Sequence, residues 1–443
     1  LVDPTHPERA PDVWPYPRPG GTHADVTLGL VSARGGRTTW IAWDRATYPY
    51  LAAVRWDEGA PLTLLVQNRT QTEEALLTVD PKRGTTEILH VERDAAWLNI
   101  DQSVPRWLPE GAGFLWSTER EGAWQLERRD AKGQLVGALT SADLGYRRLL
   151  HHDPRGGVAY VVASDDPTQD QVWRVTLGPD GASPTAMTRS EGHHRAVFGE
   201  ETDLWVQVST DLTGPRRWQV RRGPGAPLGE LVSVAEAPPF APNVTLTQVQ
   251  TGERTLHAAL IRPRNFEASR RYPVLLHVYG GPHGRMVSHQ GRRYLLDQWM
   301  ADHGVVVVCI DGRGTPHRGR AFERVIQGNL VDIPLGDQVA GLQALGAAHP
   351  ELDLDRVGIF GWSFGGYLSA MAVMRRPDVF KVGVAGAPVT DWRDYDTHYT
   401  ERYLGHPGTS PEAYERTDLC ADAASLTRPL LLIHGMADDN VVA

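Results

Sequence analysis

The pentapeptide Gly361-Trp362-Ser363-Phe364-Gly365 has the pattern G-x-S-x-G and lies between two apolar segments. The preceding residues, Arg356-Val357-Gly358-Ile359-Phe360, are typical of a buried parallel strand, and the residues from Tyr367 to Met374 are typical of a helix. This order predicts a strained turn with Ser363 at its tip. Side chains at Gly361 and Gly365 would collide with neighbouring backbone, so both positions need glycine.

The turn predicts that Ser363 is a nucleophile at the carboxyl end of a sheet, with the N–H of Phe364 available to an oxyanion. A strand–serine–helix turn of this kind is the nucleophile elbow of the α/β-hydrolase fold, in which the catalytic acid follows a later strand. Residues 429–433 are predicted to form that strand, and Asp438 in the next loop is the candidate acid. Asp439 is the near alternative. Asp438 could also be an Asx-turn residue without a catalytic role.

The catalytic histidine of this fold should follow the acid, but the sequence contains no histidine after Asp438. His434 precedes Asp438 at the predicted strand end, and we expect it to be structural. We therefore expect the sequence to be a piece that stops before the histidine. On its own, this piece is expected to be nearly inactive, because Ser363 would lack a general base.

Two regions of the chain differ in rhythm. Residues from about 22 to 235 form short apolar runs separated by turns, recurring about every 40 to 50 residues as in propeller blades. From Pro238 onward, strands alternate with helices, including a helix predicted at about 337–348. The sequence thus predicts a partial β-propeller (1–237), followed by an α/β-hydrolase domain with a mostly parallel, doubly wound sheet (238–443). About four blades and a partial one can be counted. A complete four-bladed propeller and an irregular β-sandwich are the alternatives.

Composition narrows the possible partners. The formal net charge of −9 argues against nucleic acid as a partner. The two cysteines, Cys309 and Cys420, are too few for a disulfide framework or a cysteine-based metal site, and no cofactor or metal is expected. No apolar run is long enough to span a membrane. We expect a soluble protein, with the cytoplasm and the periplasm both open as its compartment.

Together, the motifs resemble the prolyl oligopeptidase family of serine peptidases, in its dipeptidyl-peptidase IV branch. The resemblance covers essentially the whole chain. The segment Gly361-Trp-Ser-Phe-Gly-Gly-Tyr367 is similar to that branch's serine motif, and Val278-Tyr-Gly-Gly-Pro282 to its oxyanion loop. Asp311-Gly-Arg-Gly-Thr315 and His434-Gly-Met-Ala-Asp-Asp-Asn-Val441 are similar to two further signatures.

The resemblance implies roles for individual residues. Ser363 would be the nucleophile and Asp438 the triad acid, while the Tyr279 hydroxyl and the Phe364 N–H would donate to the oxyanion. Asn440 would bind the carbonyl oxygen of the substrate's second-last residue. The role of Tyr403 stays open. The apolar pocket for the proline ring would be lined by Trp392, Tyr395, Tyr399, Val389, Phe364 and Val441.

The resemblance further implies a homodimeric exopeptidase that releases X-Pro or X-Ala dipeptides from peptide N-termini. The branch binds the substrate amine with a pair of propeller glutamates, which have no counterpart here, since Glu73-Glu74 and Glu200-Glu201 lie at other places. We therefore expect an N-terminal part to be missing as well. Two alternatives remain: an oligopeptidase or acylaminoacyl peptidase of the same family, which Trp362 and Tyr367 disfavour, and a non-catalytic propeller scaffold.

Overall fold

The computed structural model describes residues 5–6, 8–10, 13, 15–178, 184–200, 202–223 and 225–441. The first half of this part is built of antiparallel strands, grouped in one two-stranded and four four-stranded sheets. The two-stranded sheet contains β1 (Leu28–Leu30) and β2 (Thr39–Ile41). The four-stranded sheets contain, in turn, β3 (Tyr50–Arg55), β4 (Thr63–Gln67), β5 (Glu73–Val79) and β6 (Thr86–Arg93); β7 (Arg106–Trp107), β8 (Phe114–Thr118), β9 (Gln125–Arg129) and β10 (Leu135–Ala138); β11 (Tyr146–Asp153), β12 (Val158–Ala163), β13 (Gln171–Thr176) and β14 (Thr185–Ala186); β15 (His193–Phe198), β16 (Leu204–Thr210), β17 (Arg217–Arg222) and β18 (Pro227–Glu230).

These sheets stack face to face, and strand β4 shows why. Leu64 and Val66 pack in a core with Ile41, on one face of their sheet. Leu65, between them, packs in a different core with Trp116 of the next sheet. Because successive strand residues point to opposite faces, the three consecutive apolar residues of β4 supply two cores at once. This arrangement is that of propeller blades, and the predicted four blades with a partial one are confirmed.

The second half contains one seven-stranded sheet with the order β19-β20-β22-β21-β23-β24-β25. The pairs β19–β20 and β20–β22 are antiparallel, and the other four neighbouring pairs are parallel. The strands are β19 (Val244–Thr251), β20 (Arg254–Ile261), β21 (Tyr272–His277), β22 (Val306–Asp311), β23 (Leu352–Trp362), β24 (Phe380–Gly386) and β25 (Leu430–Ile433). The α-helices are α1 (Leu295–Ala301), α2 (Arg320–Arg324), α3 (Asp332–Ala348), α4 (Phe364–Arg375), α5 (Thr397–Leu404), α6 (Pro411–Thr417) and α7 (Leu419–Asp422). Single 3-10 turns lie at Pro109–Gly111, Ala142–Leu144, Gly291–Tyr294, Trp392–Asp394 and Ala423–Ser425.

Both faces of this sheet are covered. In β22, Val308 and Ile310 pack in the larger core, whereas Val307 and Cys309 pack in a second core on the opposite face. A strand buried on both faces needs a continuous apolar run, which is what residues 306–310 supply. The predicted mostly parallel, doubly wound sheet is confirmed.

The structure extends two predicted elements. The strand expected at 356–360 is β23, Leu352–Trp362, and the helix expected at 337–348 is α3, which begins five residues earlier at Asp332. Pro334 lies in the first turn of α3, where its missing N–H costs no helical hydrogen bond. The expected domain boundary at 237/238 falls between β18 and β19 and stays a prediction. Among the described residues, no helix has the length and apolar character needed to cross a membrane.

Candidate active site

Ser363 lies at the junction of β23 and α4, in a strained backbone conformation. Its φ is 58° and its ψ is −119°, a region that a non-glycine residue adopts at a cost of about 1–3 kcal/mol. Its N–H donates to the carbonyl oxygen of Gly386 at 2.8 Å, which fixes the turn to the neighbouring strand. A Cβ at Gly361 would lie 2.3 Å from the Val278 oxygen, and one at Gly365 would lie 2.1 Å from it. The turn therefore needs glycine at both positions.

Tyr279 lies in the loop just after β21, the strand that pairs with β23 beside the serine turn. Its ring centroid lies 5.9 Å from that of Phe364, the first residue of α4. Burial, followed by the nearby Tyr395, raises the pKa of the Tyr279 hydroxyl, so the group keeps its proton at neutral pH. Within the described residues, this hydroxyl makes no hydrogen bond. It is thus a free donor at the carboxyl end of the sheet.

The loop after β25 carries Asp438. Its Oδ1 accepts the N–H groups of Asn440 at 3.0 Å and Val441 at 2.9 Å, as in an Asx turn. Its Oδ2 lies 3.9 Å from Nε2 of His434, and that nitrogen donates to the Val441 carbonyl oxygen at 2.8 Å. One carboxylate oxygen therefore shapes the loop and the other keeps acceptor capacity. Asp438 can serve the Asx turn and orient a histidine at the same time.

No histidine in the described part of the chain hydrogen-bonds Ser363. His434 is engaged by the Val441 carbonyl, which agrees with the structural role expected for it. Asp439 is exposed and makes no hydrogen bond or ion pair with other described residues. Of the two neighbouring aspartates, only Asp438 is anchored in the loop.

An aromatic cluster lies beside the serine turn. The Trp392 ring stacks on Tyr399 with centroids 5.8 Å apart and planes 9° apart, and meets Tyr395 edge-on at 5.8 Å. Phe364 joins it at 5.8 Å from Trp392. The structure brings all six side chains expected around a proline ring to one apolar core: Trp392, Tyr395, Tyr399, Val389, Phe364 and Val441.

The side chain of Asn440 borders this cluster with a defined orientation. The Tyr395 hydroxyl donates to its Oδ1 at 3.1 Å. Its Nδ2 has no hydrogen-bond partner among the residues described. The two N–H donors of the amide are therefore available to an external carbonyl oxygen.

The sequence assigns no role to two further residues near the site, Tyr403 and His283. Tyr403 is fully buried, and its hydroxyl hydrogen-bonds His283 Nε2. His283 has a positive φ of 66° in the loop that follows Tyr279. His283 is flanked by Pro282 and Gly284, which indicate only a tight turn. No local sequence pattern indicates that His283 pairs with Tyr403.

Two groups of side chains have the donor types that bind metal ions: His277, Asp297 and Cys309, and His90, Glu92 and Glu127. Asp297 accepts a hydrogen bond from His277 Nδ1 at 2.6 Å. Glu127 is paired with Arg120 at 2.9 Å and with Arg129 at 2.5 Å. Asp297 and Glu127 thus already have protein partners, and neither group includes a residue of the serine site.

A strained serine between strand and helix, in a sheet that follows stacked four-stranded blades, defines a propeller-bearing α/β-hydrolase. The model of the prolyl oligopeptidase family matches residues 295–443, and that of the dipeptidyl peptidase IV N-terminal region matches residues 1–216. The chain belongs to the prolyl oligopeptidase family, in its dipeptidyl-peptidase IV branch.

Individual relatives agree with this assignment. Mouse dipeptidyl peptidase 8 is 43% identical over 216 residues, which cover 48% of this chain and 24% of that protein. "Probable dipeptidyl-aminopeptidase B" of Aspergillus clavatus is 33% identical over 434 residues, covering 88% of this chain and 45% of the relative. The crystal structure of Porphyromonas gingivalis dipeptidyl peptidase 4 matches with a TM-score of 0.87 at 27% identity, over 96% of this chain and 61% of that one. The chain thus spans less than half the length of the mouse and Aspergillus clavatus relatives.

Proposed function

We propose that the protein is a serine exopeptidase that releases X-Pro or X-Ala dipeptides from peptide N-termini through an acyl-enzyme on Ser363. The observation that carries this proposal is the aromatic cluster of Trp392, Tyr395 and Tyr399, which adjoins the serine turn through Phe364. Aromatic ring faces and edges of this kind are the surfaces that suit a proline ring or a small alanine side chain.

The proposed reaction assigns a task to each group. The Ser363 oxygen attacks the carbonyl carbon of the proline, and its proton passes to a histidine oriented by Asp438. The Tyr279 hydroxyl and the Phe364 N–H stabilise the oxyanion. The amine leaves with the transferred proton, and water then hydrolyses the ester, which restores the serine.

The free amide donors of Asn440 support the placement of the substrate. An N–H of Nδ2 would bind the carbonyl oxygen of the residue before the proline, while Tyr395 holds the other end of the amide. Together with the oxyanion donors on the proline carbonyl, this contact would hold the peptide on both sides of the proline ring and align its carbonyl carbon with Ser363. By family resemblance, we also propose that the protein is a homodimer, which sedimentation velocity would test.

The test uses the full-length product of the parent gene with Ala-Pro and Gly-Pro p-nitroanilides, each with a free and with a blocked amine. Cleavage of the free-amine forms alone, lost in Ser363→Ala, is the expected result. Cleavage of the blocked forms would instead indicate an oligopeptidase or acylaminoacyl peptidase. Turnover of neither form would favour a non-catalytic scaffold and overturn the proposal.

A further inference from the structure

Residues 16–20, Tyr16-Pro17-Arg18-Pro19-Gly20, form a strap that lies against helix α5 and the loop after β25. The Pro17 carbonyl oxygen accepts the N–H of Thr397, the first residue of α5, at 3.0 Å. The Gly20 N–H donates to Oε1 of Glu401 in the same helix at 2.7 Å. The strap is thus attached to the helix that carries the pocket residue Tyr399.

The Tyr16 side chain reaches from the strap to the loop after β25, which carries Asp438 and Asn440. Its hydroxyl donates to the carbonyl oxygen of Asn440 at 2.8 Å. Burial, and then the charge of Asp396, raise the pKa of this hydroxyl above its usual value, so it remains a donor at all physiological pH values. This bond joins two residues that are 424 positions apart in the chain.

The peptide unit between Asn440 and Val441 is consequently held at both ends. Its carbonyl oxygen accepts from Tyr16 at 2.8 Å, and its N–H donates to Asp438 Oδ1 at 2.9 Å. The N–H of Asn440 itself also donates to that carboxylate oxygen at 3.0 Å. These hydrogen bonds restrain the rotation of the peptide plane and, with it, the direction in which the Asn440 side chain leaves the backbone.

We propose that Tyr16 is a positioning residue for the peptide substrate. By holding the Asn440 carbonyl, it directs the Asn440 amide towards the carbonyl of the residue before the proline. Tyr16 itself does not touch the substrate. This role rests on the proposed function, because it acts through the substrate contact assigned there to Asn440.

The test compares Tyr16→Phe with the wild-type full-length protein on Ala-Pro-p-nitroanilide. Rates are normalised to the active sites titrated with a serine-reactive fluorophosphonate, so that a partly unfolded variant still gives a value per folded site. Because the variant lacks the hydrogen bond that aligns Asn440, we expect kcat/KM to fall about five- to tenfold, mainly through a higher KM. Arg18→Met is the matched control in the strap, since the ion pair of Arg18 within the described residues is with the exposed Asp394 at 2.9 Å, and the KM of this variant should stay at the wild-type value.

A double-mutant cycle with Asn440→Ala separates positioning from general stability. If Tyr16 acts through the Asn440 amide, Tyr16→Phe changes kcat/KM less than twofold when the amide is already absent. An equal loss in both backgrounds, or a wild-type KM in Tyr16→Phe, would overturn the positioning role while wild-type turnover leaves the proposed function intact. A wild-type protein that cleaves no substrate would overturn the proposed function itself and, with it, this role.

Discussion

Arg69 and Glu401 form a two-pronged ion pair that joins the β4–β5 turn to helix α5. Arg69 Nε lies 2.7 Å from Oε2 and its terminal nitrogen 2.6 Å from Oε1, the bidentate geometry that guanidinium and carboxylate favour. The Glu401 side chain is 2% exposed and that of Arg69 is 32% exposed. Because α5 carries Tyr399 and Tyr403, this pair ties a propeller blade to the wall of the proposed proline pocket.

Replacing Arg69 by Met should destabilise the protein by about 3 kcal/mol, because the buried Glu401 carboxylate loses its counter-charge. Urea unfolding followed by tryptophan fluorescence measures this loss. Arg93→Met is the control: Arg93 pairs with Glu73 at 2.6 Å but is 67% exposed, so its loss should cost less than about 1 kcal/mol. Equal effects of the two substitutions would contradict a special role of the buried pair.

The same pair predicts a pH dependence. Burial raises the pKa of Glu401, but the hydrogen bonds from Arg69 and the Gly20 N–H, with the charge of Arg69, outweigh it and hold the pKa below 4.5. A lowered folded-state pKa contributes stability that is present above the unfolded value and is lost as pH falls through the folded value. The difference in unfolding free energy between wild type and Arg69→Met should thus be full at pH 7 and shrink below pH 4.5. A difference that stays constant down to pH 3.5 would show that the Glu401 charge is not involved.

Gly365→Ala should impair the site through the backbone of its neighbour. The new Cβ would lie 2.1 Å from the Val278 oxygen, and a shift of that carbonyl displaces the adjacent Tyr279. We expect kcat to fall about 100-fold, as for other sub-ångström to ångström misplacements of catalytic groups. Gly336→Ala in α3 is the control, because nothing lies within 4 Å of its Cβ position. It should keep full activity and gain up to about 1 kcal/mol of stability, and a wild-type kcat in Gly365→Ala would argue against the tight turn as the reason for glycine.

Tyr279→Phe tests the proposed oxyanion donor. Removal of one such donor typically lowers kcat by about 10²–10³-fold with little change in KM, because the bond forms only in the transition state. The comparison variant is Tyr414→Phe, which loses a hydroxyl that donates to the Gly405 carbonyl at 2.8 Å. Steady-state kinetics should place the whole deficit in Tyr279→Phe; a main effect on KM would instead assign Tyr279 to substrate binding.

Local patterns account for what the sequence predicted. The serine turn could be recognised because its strain demands glycine at 361 and 365, and the blades because every four-stranded sheet repeats the same alternation of apolar residues and turns. Long-range contacts such as Tyr16–Asn440 and Arg69–Glu401 could not be predicted. The partners are 424 and 332 positions apart. In the sequence, neither Tyr16 nor Arg69 can be distinguished from an ordinary surface residue.

The early start of α3 has a different reason. Residues 332–336 include a proline and a glycine, which argue against a helix when propensity alone is considered. In the structure, Pro334 and Leu335 are buried, and packing against the sheet outweighs the poor intrinsic propensity. Tertiary context of this kind is absent from a window of sequence.

The strain at Ser363 bears on how the sequence persists over generations. At φ 58° and ψ −119°, glycine would be accommodated without penalty, so substitution of the serine would make the folded protein more stable. Random mutation in a lineage with no use for the hydroxyl would therefore drift away from serine at this position. A protein that served only as a scaffold would have no use for the Ser363 hydroxyl and would be more stable with glycine there, so the strained serine favours a catalytic role over a purely structural one.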